Sequence, residues 1–242
     1  MISKTRLITA ILAMLLATAT ACQNVSNFDA MGQRPAGLPS DINDKFTSQS
    51  LVTEDYVDRW EVESREIYLQ RHLIASTLDL REGMSIADIG AGTGLFEGLF
   101  SASVGASGQV HAVDISTVFL DDLDRRIKAE GWSNVETNLS DGILVPRELQ
   151  GIDRAFICDT YHHFEHPHAT MSSLFRAMNP GGILVLVDFE RIPGRTKEWI
   201  LEHVRAGKST FRAEVEAAGF HFFEEPVLPG MKENYLLRFL RP

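Results

Sequence analysis

The strongest structural signal in the chain is the segment Asp88-Ile89-Gly90-Ala91-Gly92-Thr93-Gly94, which follows Met84-Ser85-Ile86-Ala87. Residues of β character run into an acidic residue, and three glycines follow at alternate positions. This pattern predicts a buried first strand that ends in a tight loop and leads into a helix. Glycines let the backbone turn with positive φ and let a ligand lie directly against it, while the helix N-terminus offers free N–H groups. The segment therefore predicts a ligand-binding turn.

The glycine spacing selects among nucleotide-like ligands. A dinucleotide fingerprint is G-x-G-x-x-G, and the position of its third glycine is occupied here by Leu95, which argues against an NAD-dependent oxidoreductase. With an acidic residue two positions before the first glycine, the segment resembles motif I of class I S-adenosylmethionine-dependent methyltransferases. The resemblance implies S-adenosylmethionine as the cofactor, with its methionine part held by Asp88, Gly90, Gly92 and Gly94.

Strand-like and helical segments alternate after the glycine loop, which predicts an α/β fold with a doubly wound parallel sheet. The predicted strands after the first are Val110–Val113, 131–137, Arg154–Cys158, Ile183–Val187 and the hairpin Phe222–Glu225 with Tyr235–Phe239. The resemblance implies the complete architecture: three layers around a seven-stranded, mostly parallel, Rossmann-like methyltransferase sheet. It also implies N-terminal helices that lid the cofactor, with the candidate lining residues Trp60, Glu63, Arg65 and Tyr68.

Acidic residues stand at or just after the ends of the predicted strands, at Asp88, Asp114, Asp141, Asp159 and Asp188. Ligands bind at the carboxyl ends of strands in such sheets. A carboxylate at Asp114 can accept two hydrogen bonds from the vicinal hydroxyls of a ribose. The resemblance assigns Asp141 to the adenine amino group. Asp188 is interpreted as a helix cap or a turn residue.

The segment 159–168 after the fourth strand contains four of the eight histidines. A hydroxyl, thiol or carbon nucleophile must lose its proton before methylation, and histidine suits that task near neutral pH. The candidate catalytic residues are His162 or His163, with Asp159 as orienter or alternative base. His203 and Arg205, in a predicted helix 195–207, are second-rank candidates. Adjacent histidines diverge on a strand or turn, so we expect no metal site.

The N-terminus differs in composition from the rest of the chain. Residues 1–22 have a short basic region, an apolar run and small residues before Cys22, which is the pattern of a signal peptide. The cysteine resembles that of a bacterial lipobox, which implies an exported, periplasmic protein anchored to a bacterial membrane by lipid at Cys22. An ordinary cleaved signal and an uncleaved anchor are the alternatives. Residues 23–50 are predicted to be a flexible tether, and residues 51–242 the methyltransferase domain.

The overall charge limits the class of acceptor. The net charge of −10 argues against a general nucleic-acid binder, which needs a basic patch to neutralise phosphates. Asp159-Thr160-Tyr161-His162 also lacks the prolines of the N-P-P-Y or D-P-P-Y segment typical of methyltransferases that act on nucleobases. The prediction is therefore methyl transfer to a small molecule, with oxygen, nitrogen, sulfur and carbon acceptors all open. The alternative is an exported, non-catalytic module that binds S-adenosylmethionine, because that cofactor is made in the cytoplasm.

Overall fold

The computed structural model describes residues 33–242, in which seven strands form one sheet. The strand order across the sheet is β3-β2-β1-β4-β5-β7-β6. The first five strands in this order run parallel, while β7 is antiparallel to both β5 and β6. The predicted seven-stranded doubly wound fold is confirmed. The strands are β1 (Ser85–Ile89), β2 (Gln109–Asp114), β3 (Val135–Leu139), β4 (Ile152–Cys158), β5 (Met178–Phe189), β6 (His221–Glu224) and β7 (Asn234–Leu240).

Helices occupy the connections and the region before β1. In chain order they are α1 (Asp44–Thr47), α2 (Thr53–Trp60), α3 (Glu66–Ser76), α4 (Glu97–Val104), α5 (Thr117–Glu130), α6 (Pro167–Ala177), α7 (Glu198–His203) and α8 (Lys208–Ala217), with a 3-10 turn at Tyr161–His163. Local residues set their ends: the Ser116 side chain accepts from Phe119 N at the start of α5, and Gly131 ends that helix with φ of 71°.

Hydrophobic residues pack in two clusters that share the sheet. The larger cluster includes the buried rings of Tyr161, Phe211 and Phe239. The smaller cluster includes Phe100 and Phe156, which pack edge to face at a centroid distance of 5.4 Å. The strands alternate their side chains between faces, so both clusters draw on β1, β4 and β5. This packing holds the loops at the carboxyl ends of those strands in fixed positions.

The last third of the chain departs from the predicted element boundaries. The helix predicted over 195–207 is the shorter α7, because Arg191 donates to the carbonyls of Leu201 (2.9 Å) and Val204 (2.7 Å) at its C-terminal end. These bonds satisfy carbonyl groups that another helical turn would otherwise satisfy. Strand β5 begins five residues before the predicted Ile183, at Met178, where it pairs with Ile152 of β4.

The described chain begins before the predicted domain boundary at residue 51. Residues from Pro35 onward belong to the same compact unit as the sheet. Leu38 and Ile42 are buried, so the second half of the predicted tether packs as part of the domain. The predicted signal peptide and Cys22 lie outside the described residues. Within residues 33–242, no helix is both long enough and apolar enough to cross a membrane.

Candidate active site

A cleft of about 530 Å³ lies at the carboxyl ends of the central strands. Its volume is in the range of small-molecule and cofactor sites, which is about 300–1,000 Å³. Most of the predicted site residues line it together: Asp88, Gly90, Gly92, Asp114, Asp159, His162 and His163. His203 of α7 joins them, as do Trp60 and Arg65 from the N-terminal helical region.

The glycine loop is held between β4 and helix α2. Gly90 has φ of 83°, and a Cβ there would lie 2.3 Å from Cγ2 of Thr160. Gly92 has φ of 55°, and its Cβ would lie 3.2 Å from the indole ring of Trp60. Both positions therefore need glycine for conformation and for space. Gly94 also has a positive φ, of 78°, and its Cβ would lie 2.6 Å from Cδ1 of Leu123 in α5.

Asp114 ties the end of β2 to the glycine loop. Its Oδ2 accepts from the N–H of Gly92 at 2.8 Å, and its Oδ1 accepts from the N–H of Ser116 at 2.8 Å. Burial raises the pKa of Asp114, and the two backbone donors partly offset that shift. A carboxylate offers about four acceptor positions, so Asp114 keeps capacity for the two hydroxyls of a ribose.

A second carboxyl, Glu97, lies beside Asp88 beneath the loop. Burial is the main cause that raises the pKa of Asp88 well above its usual range, and the Glu97 carboxyl adds to the shift. Burial also raises the pKa of Glu97 to about 7. Two carboxyl groups in such a place retain a proton between them, which limits the negative charge under the loop. Glu97 carries no distinguishing signal in the sequence, because an acidic residue in the first turn of a helix is ordinarily solvated.

Asp141 occupies the rim of the cleft. Its Oδ1 accepts from the N–H groups of Ile143 and Leu144, both at 2.8 Å, in an exposed turn. These backbone donors lower the pKa of Asp141. Its neighbours Ser140 and Gly142 line the cleft. The carboxylate thus shapes this loop, and its assignment to the adenine amino group stays a prediction.

Asp159 has different partners from those expected. Its carboxylate forms an ion pair with Arg65 and accepts from Asn234 Nδ2 at 2.5 Å. Burial raises the pKa of Asp159 to about 6, although the Arg65 guanidinium opposes the shift. The structure therefore attaches Asp159 to the N-terminal region and to β7. Asp188, and not Asp159 as expected, forms the hydrogen bond that orients the His162 ring.

His162 and Asp188 form a buried pair. His162 Nδ1 lies 2.9 Å from Asp188 Oδ1, and the backbone N–H of His162 donates to Oδ2 at 3.2 Å. Both side chains are almost completely inaccessible to solvent, at 2% and 0%. The interpretation of Asp188 as a cap or turn residue is therefore wrong. A carboxylate at Nδ1 favours the tautomer with its proton there, which leaves Nε2 as a free acceptor.

His163 and His203 complete a cluster of three imidazoles. Their Nε2 atoms are 3.1 Å apart. The ring of His162 lies 4.4 Å from that of His163 and 5.0 Å from that of His203, measured between centroids. Burial and the neighbouring His162 lower the pKa of His163 to about 2 and that of His203 to about 4. Both are therefore neutral at physiological pH. Arg205, by contrast, pairs with Glu214 through two hydrogen bonds of 2.8 and 2.6 Å.

The segment before α2 covers the histidine side of the cleft. Asn43 Nδ2 donates to the carbonyl of His163 at 3.2 Å, and the Phe46 ring packs edge-on against the His163 ring at 5.3 Å. These residues were not predicted as part of the site, because their segment is rich in turn formers. A usable signal was present, since Leu38, Ile42 and Phe46 recur at intervals of four residues.

The sheet order, the glycine loop and the acidic strand ends together define a class I methyltransferase domain. Residues 86–182 match the family model described as a methyltransferase domain, and this match supports a class I methyltransferase family for the chain.

Curated relatives agree with this assignment. The chain is 30% identical over 145 residues to a protein-L-isoaspartate O-methyltransferase of Methanococcus maripaludis, a match covering 58% of this chain and 66% of the relative. It is 25% identical over 122 residues to a ubiquinone/menaquinone biosynthesis C-methyltransferase of Neisseria meningitidis, covering 50% of this chain and 49% of the relative. The chain thus spans between about half and two thirds of these relatives.

Solved structures show the same fold. A SAM-dependent methyltransferase from Aquifex aeolicus superposes with a TM-score of 0.69 at 20% identity, covering 78% of this chain and 98% of that chain. Phosphoethanolamine N-methyltransferase 2 of Haemonchus contortus, solved with S-adenosyl-L-methionine, gives a TM-score of 0.67 at 16% identity, covering 86% and 61%.

S-adenosylmethionine is the cofactor of this family, and the cleft residues fit it. The Cβ-free backbone at Gly90 and Gly92 forms the cradle, and Asp114 retains acceptor capacity beside that loop. Apolar and aromatic side chains, including Ile115 and Phe119, provide a surface for a purine ring. These residues and the histidine cluster share a single cleft, so a cofactor on the loop and an acceptor at the imidazoles would be neighbours.

Proposed function

We propose that this protein transfers a methyl group from S-adenosylmethionine to a small-molecule acceptor bound at the histidine cluster. The observation that carries the proposal is the buried pair of His162 and Asp188, which opens into the same cleft as the glycine loop. A buried carboxylate behind an imidazole, with the free Nε2 toward a ligand cleft, is the usual arrangement of a histidine that accepts a proton.

The glycine loop and Asp114 would hold the cofactor, which supplies a methyl group on a good leaving group. The remaining task of the protein is to place the acceptor in line and to receive its proton where the acceptor carries one. Nε2 of His162 would take that proton, and Asp188 would stabilise the resulting imidazolium. The uncharged rings of His163 and His203 lie beside the His162 ring and would restrict where an acceptor can bind.

The walls of the cleft favour a small acceptor. Phe46, Trp60, Phe189 and Trp199 all line the cleft, and α2 packs over the glycine loop. Such an aromatic lid leaves space for a compact, partly apolar molecule. The net charge of −10 gives no general attraction for nucleic acid.

Calorimetric titration of the full chain with S-adenosylhomocysteine tests cofactor binding, and a radiolabelled methyl donor with a panel of alcohols, thiols, amines and acidic carbon compounds tests turnover. We expect binding with one site per chain and transfer to at least one acceptor class. Absence of binding by a folded sample would refute the proposal.

We also propose that the protein is exported and carries lipid on Cys22, which lies outside the described residues. The basic, apolar and small-residue pattern of residues 1–22 supports this proposal. A lipidated protein would partition into detergent, and its mass would exceed the mass calculated for the same residues without lipid. Cys22→Ser would remove the detergent partitioning and the extra mass. Persistence of both properties in the variant would contradict lipidation at this cysteine.

A further inference from the structure

We propose that one divalent transition-metal ion binds at the acceptor end of the cleft, held by His162, His163 and His203. Zinc is the ion for which the geometry is considered below. One ring nitrogen from each residue lies within 4.8 Å of the other two. The inference about metal binding stands on these residues alone; only the use of the metal for an acceptor rests on the proposed function.

The separations suit an ion with short bonds to nitrogen. Zn–N bonds of about 2.0–2.1 Å in a tetrahedral site place ligand nitrogens about 3.4 Å apart. The Nε2 atoms of His163 and His203 are already 3.1 Å apart. The His162 nitrogen lies within 4.8 Å of these two, so the three need to close by at most about 1.4 Å, which small rotations of the His163 and His203 side chains would supply.

Asp188 supplies the outer contact that metal-binding histidines usually have. Metal-ligating imidazoles commonly donate their other N–H to a carboxylate, which fixes the tautomer and strengthens the ligand. The 2.9 Å contact between Asp188 Oδ1 and His162 Nδ1 is such a pair, and it leaves Nε2 of His162 for the ion.

Some of the charged groups near the histidine cluster favour a bound cation, and one opposes it. Asp188 is the carboxylate in direct contact with the cluster, and Asp159 lies nearby in its ion pair with Arg65. The Lys45 ammonium faces His163 and His203 and opposes a cation. Because the Lys45 side chain also lies 4.7 Å over the Phe46 ring, it belongs to the covering segment and can move with it.

Three histidines leave one tetrahedral position open, which is the pattern of catalytic rather than structural zinc. That position would face the cleft, where an acceptor oxygen, sulfur or nitrogen could occupy it. With the ion bound, Nε2 of His162 is a ligand and no longer accepts a proton. The ion would instead lower the pKa of a bound hydroxyl or thiol, whose proton passes to solvent.

The expectation that adjacent histidines diverge fails for two structural reasons. The residues lie in a 3-10 turn, which brings the rings of His162 and His163 to 4.4 Å. The third ligand comes from a helix 40 residues further along the chain, so no local spacing in the sequence reveals it.

The test is metal binding by the full chain after removal of metals with a chelator. Calorimetry with Zn²⁺ and visible absorption with Co²⁺ should show one ion per chain in a tetrahedral, nitrogen-rich site. We expect at least a tenfold loss of affinity in His203→Ala, and a 10- to 100-fold loss in Asp188→Asn. His72→Ala, on the exposed face of α3, is the control and should bind as the unaltered chain does. Lys45→Met should bind more tightly.

Thermal unfolding and S-adenosylhomocysteine titration of each sample separate loss of a ligand from loss of fold. Metal affinity lost in His203→Ala, with cofactor binding retained, supports the site. Equal affinities in His203→Ala and His72→Ala, or no binding by the unaltered chain, would overturn it and leave the proposed methyl transfer standing. Zinc binding without S-adenosylhomocysteine binding would instead contradict the methyltransferase proposal alone.

Discussion

Asp188 accepts three N–H groups, two of which belong to His162. Its Oδ1 accepts from the imidazole Nδ1 of His162 at 2.9 Å and from the N–H of Phe189 at 2.7 Å, while Oδ2 accepts from the N–H of His162 at 3.2 Å. One carboxylate at the end of β5 thus fixes both the backbone and the ring of a residue just after β4. The orientation of the His162 ring is therefore fixed by the position of strand β5 in the sheet.

The first prediction concerns Asp188→Asn. An amide has one acceptor oxygen where the carboxylate has two, so it cannot satisfy all three donors without turning an N–H toward one of them. We expect methyl transfer to fall by roughly a hundredfold or more through the wrong tautomer of His162. The dissociation constant of S-adenosylhomocysteine should stay the same, because the glycine loop is not touched. A parallel loss of cofactor binding would mean that Asp188 acts on the whole cleft.

The second prediction compares two glycines with nearly the same φ. Gly90→Ala and Gly181→Ala both place a Cβ at positive φ, 83° and 81°. At Gly90 that Cβ would lie 2.3 Å from Thr160, whereas at Gly181 nothing lies within 4 Å. We expect Gly181→Ala to lose about 1–2 kcal/mol of unfolding free energy with normal cofactor affinity.

Gly90→Ala should be less stable than Gly181→Ala and should bind S-adenosylhomocysteine at least tenfold more weakly, because the loop must move away from Thr160. Urea unfolding and calorimetry measure the two effects. Equal behaviour of the two variants would show that the contact with Thr160 does not constrain the loop.

The third prediction compares how much two carboxylates that follow strands, Asp114 and Asp141, contribute to cofactor binding. Asp114→Asn should weaken S-adenosylhomocysteine binding at least tenfold, because the single acceptor oxygen of an amide cannot serve the N–H groups of Gly92 and Ser116 together with the ribose hydroxyls. Asp141→Asn should have a much smaller effect, since the Asp141 carboxylate is exposed and accepts from its own turn. A larger loss for Asp141→Asn would instead support its assignment to the adenine amino group.

The fold was predictable because its signals are local and repeated. The central strands β1, β2, β4 and β5 contain short apolar runs with turn residues after them, and α5 is bounded by Ser116 and Gly131. The glycine loop at the end of β1 needs only adjacent residues to be recognised. These features depend on periodicity and backbone conformation, which a single sequence records.

The site was predictable only where its residues follow a strand directly. An acidic residue after a strand has the same sequence pattern whether it caps a helix or is buried, so the pairing of Asp188 with a histidine 26 residues earlier was not visible. Glu97 was missed because an acidic residue in the first turn of a helix is ordinarily solvated. The approach of His203 to His163 depends on how α7 folds back over the cleft, and that is a tertiary property.

The fourth prediction concerns the carboxyl pair under the glycine loop and its dependence on pH. Unfolded glutamate ionises near 4.5, whereas burial holds the proton of folded Glu97 to about 7. Between these values the unfolded state has released a proton that the folded state retains. The free energy of unfolding therefore falls as pH rises through this window, by roughly 3 kcal/mol in total.

In the Glu97→Gln variant the side chain is neutral at every pH, so residue 97 no longer lowers the free energy of unfolding as pH rises. The stability of Glu97→Gln minus that of the unaltered chain should therefore increase as pH rises from 4.5 to 7 and then level off. Urea unfolding across this range measures the difference. Glu130→Gln, at the exposed end of α5, is the matched control, because it removes the same charge without altering a buried carboxyl. If the difference for Glu97→Gln is as flat as that of the control, Glu97 is ionised in the folded protein and the loop rests on a charged pair.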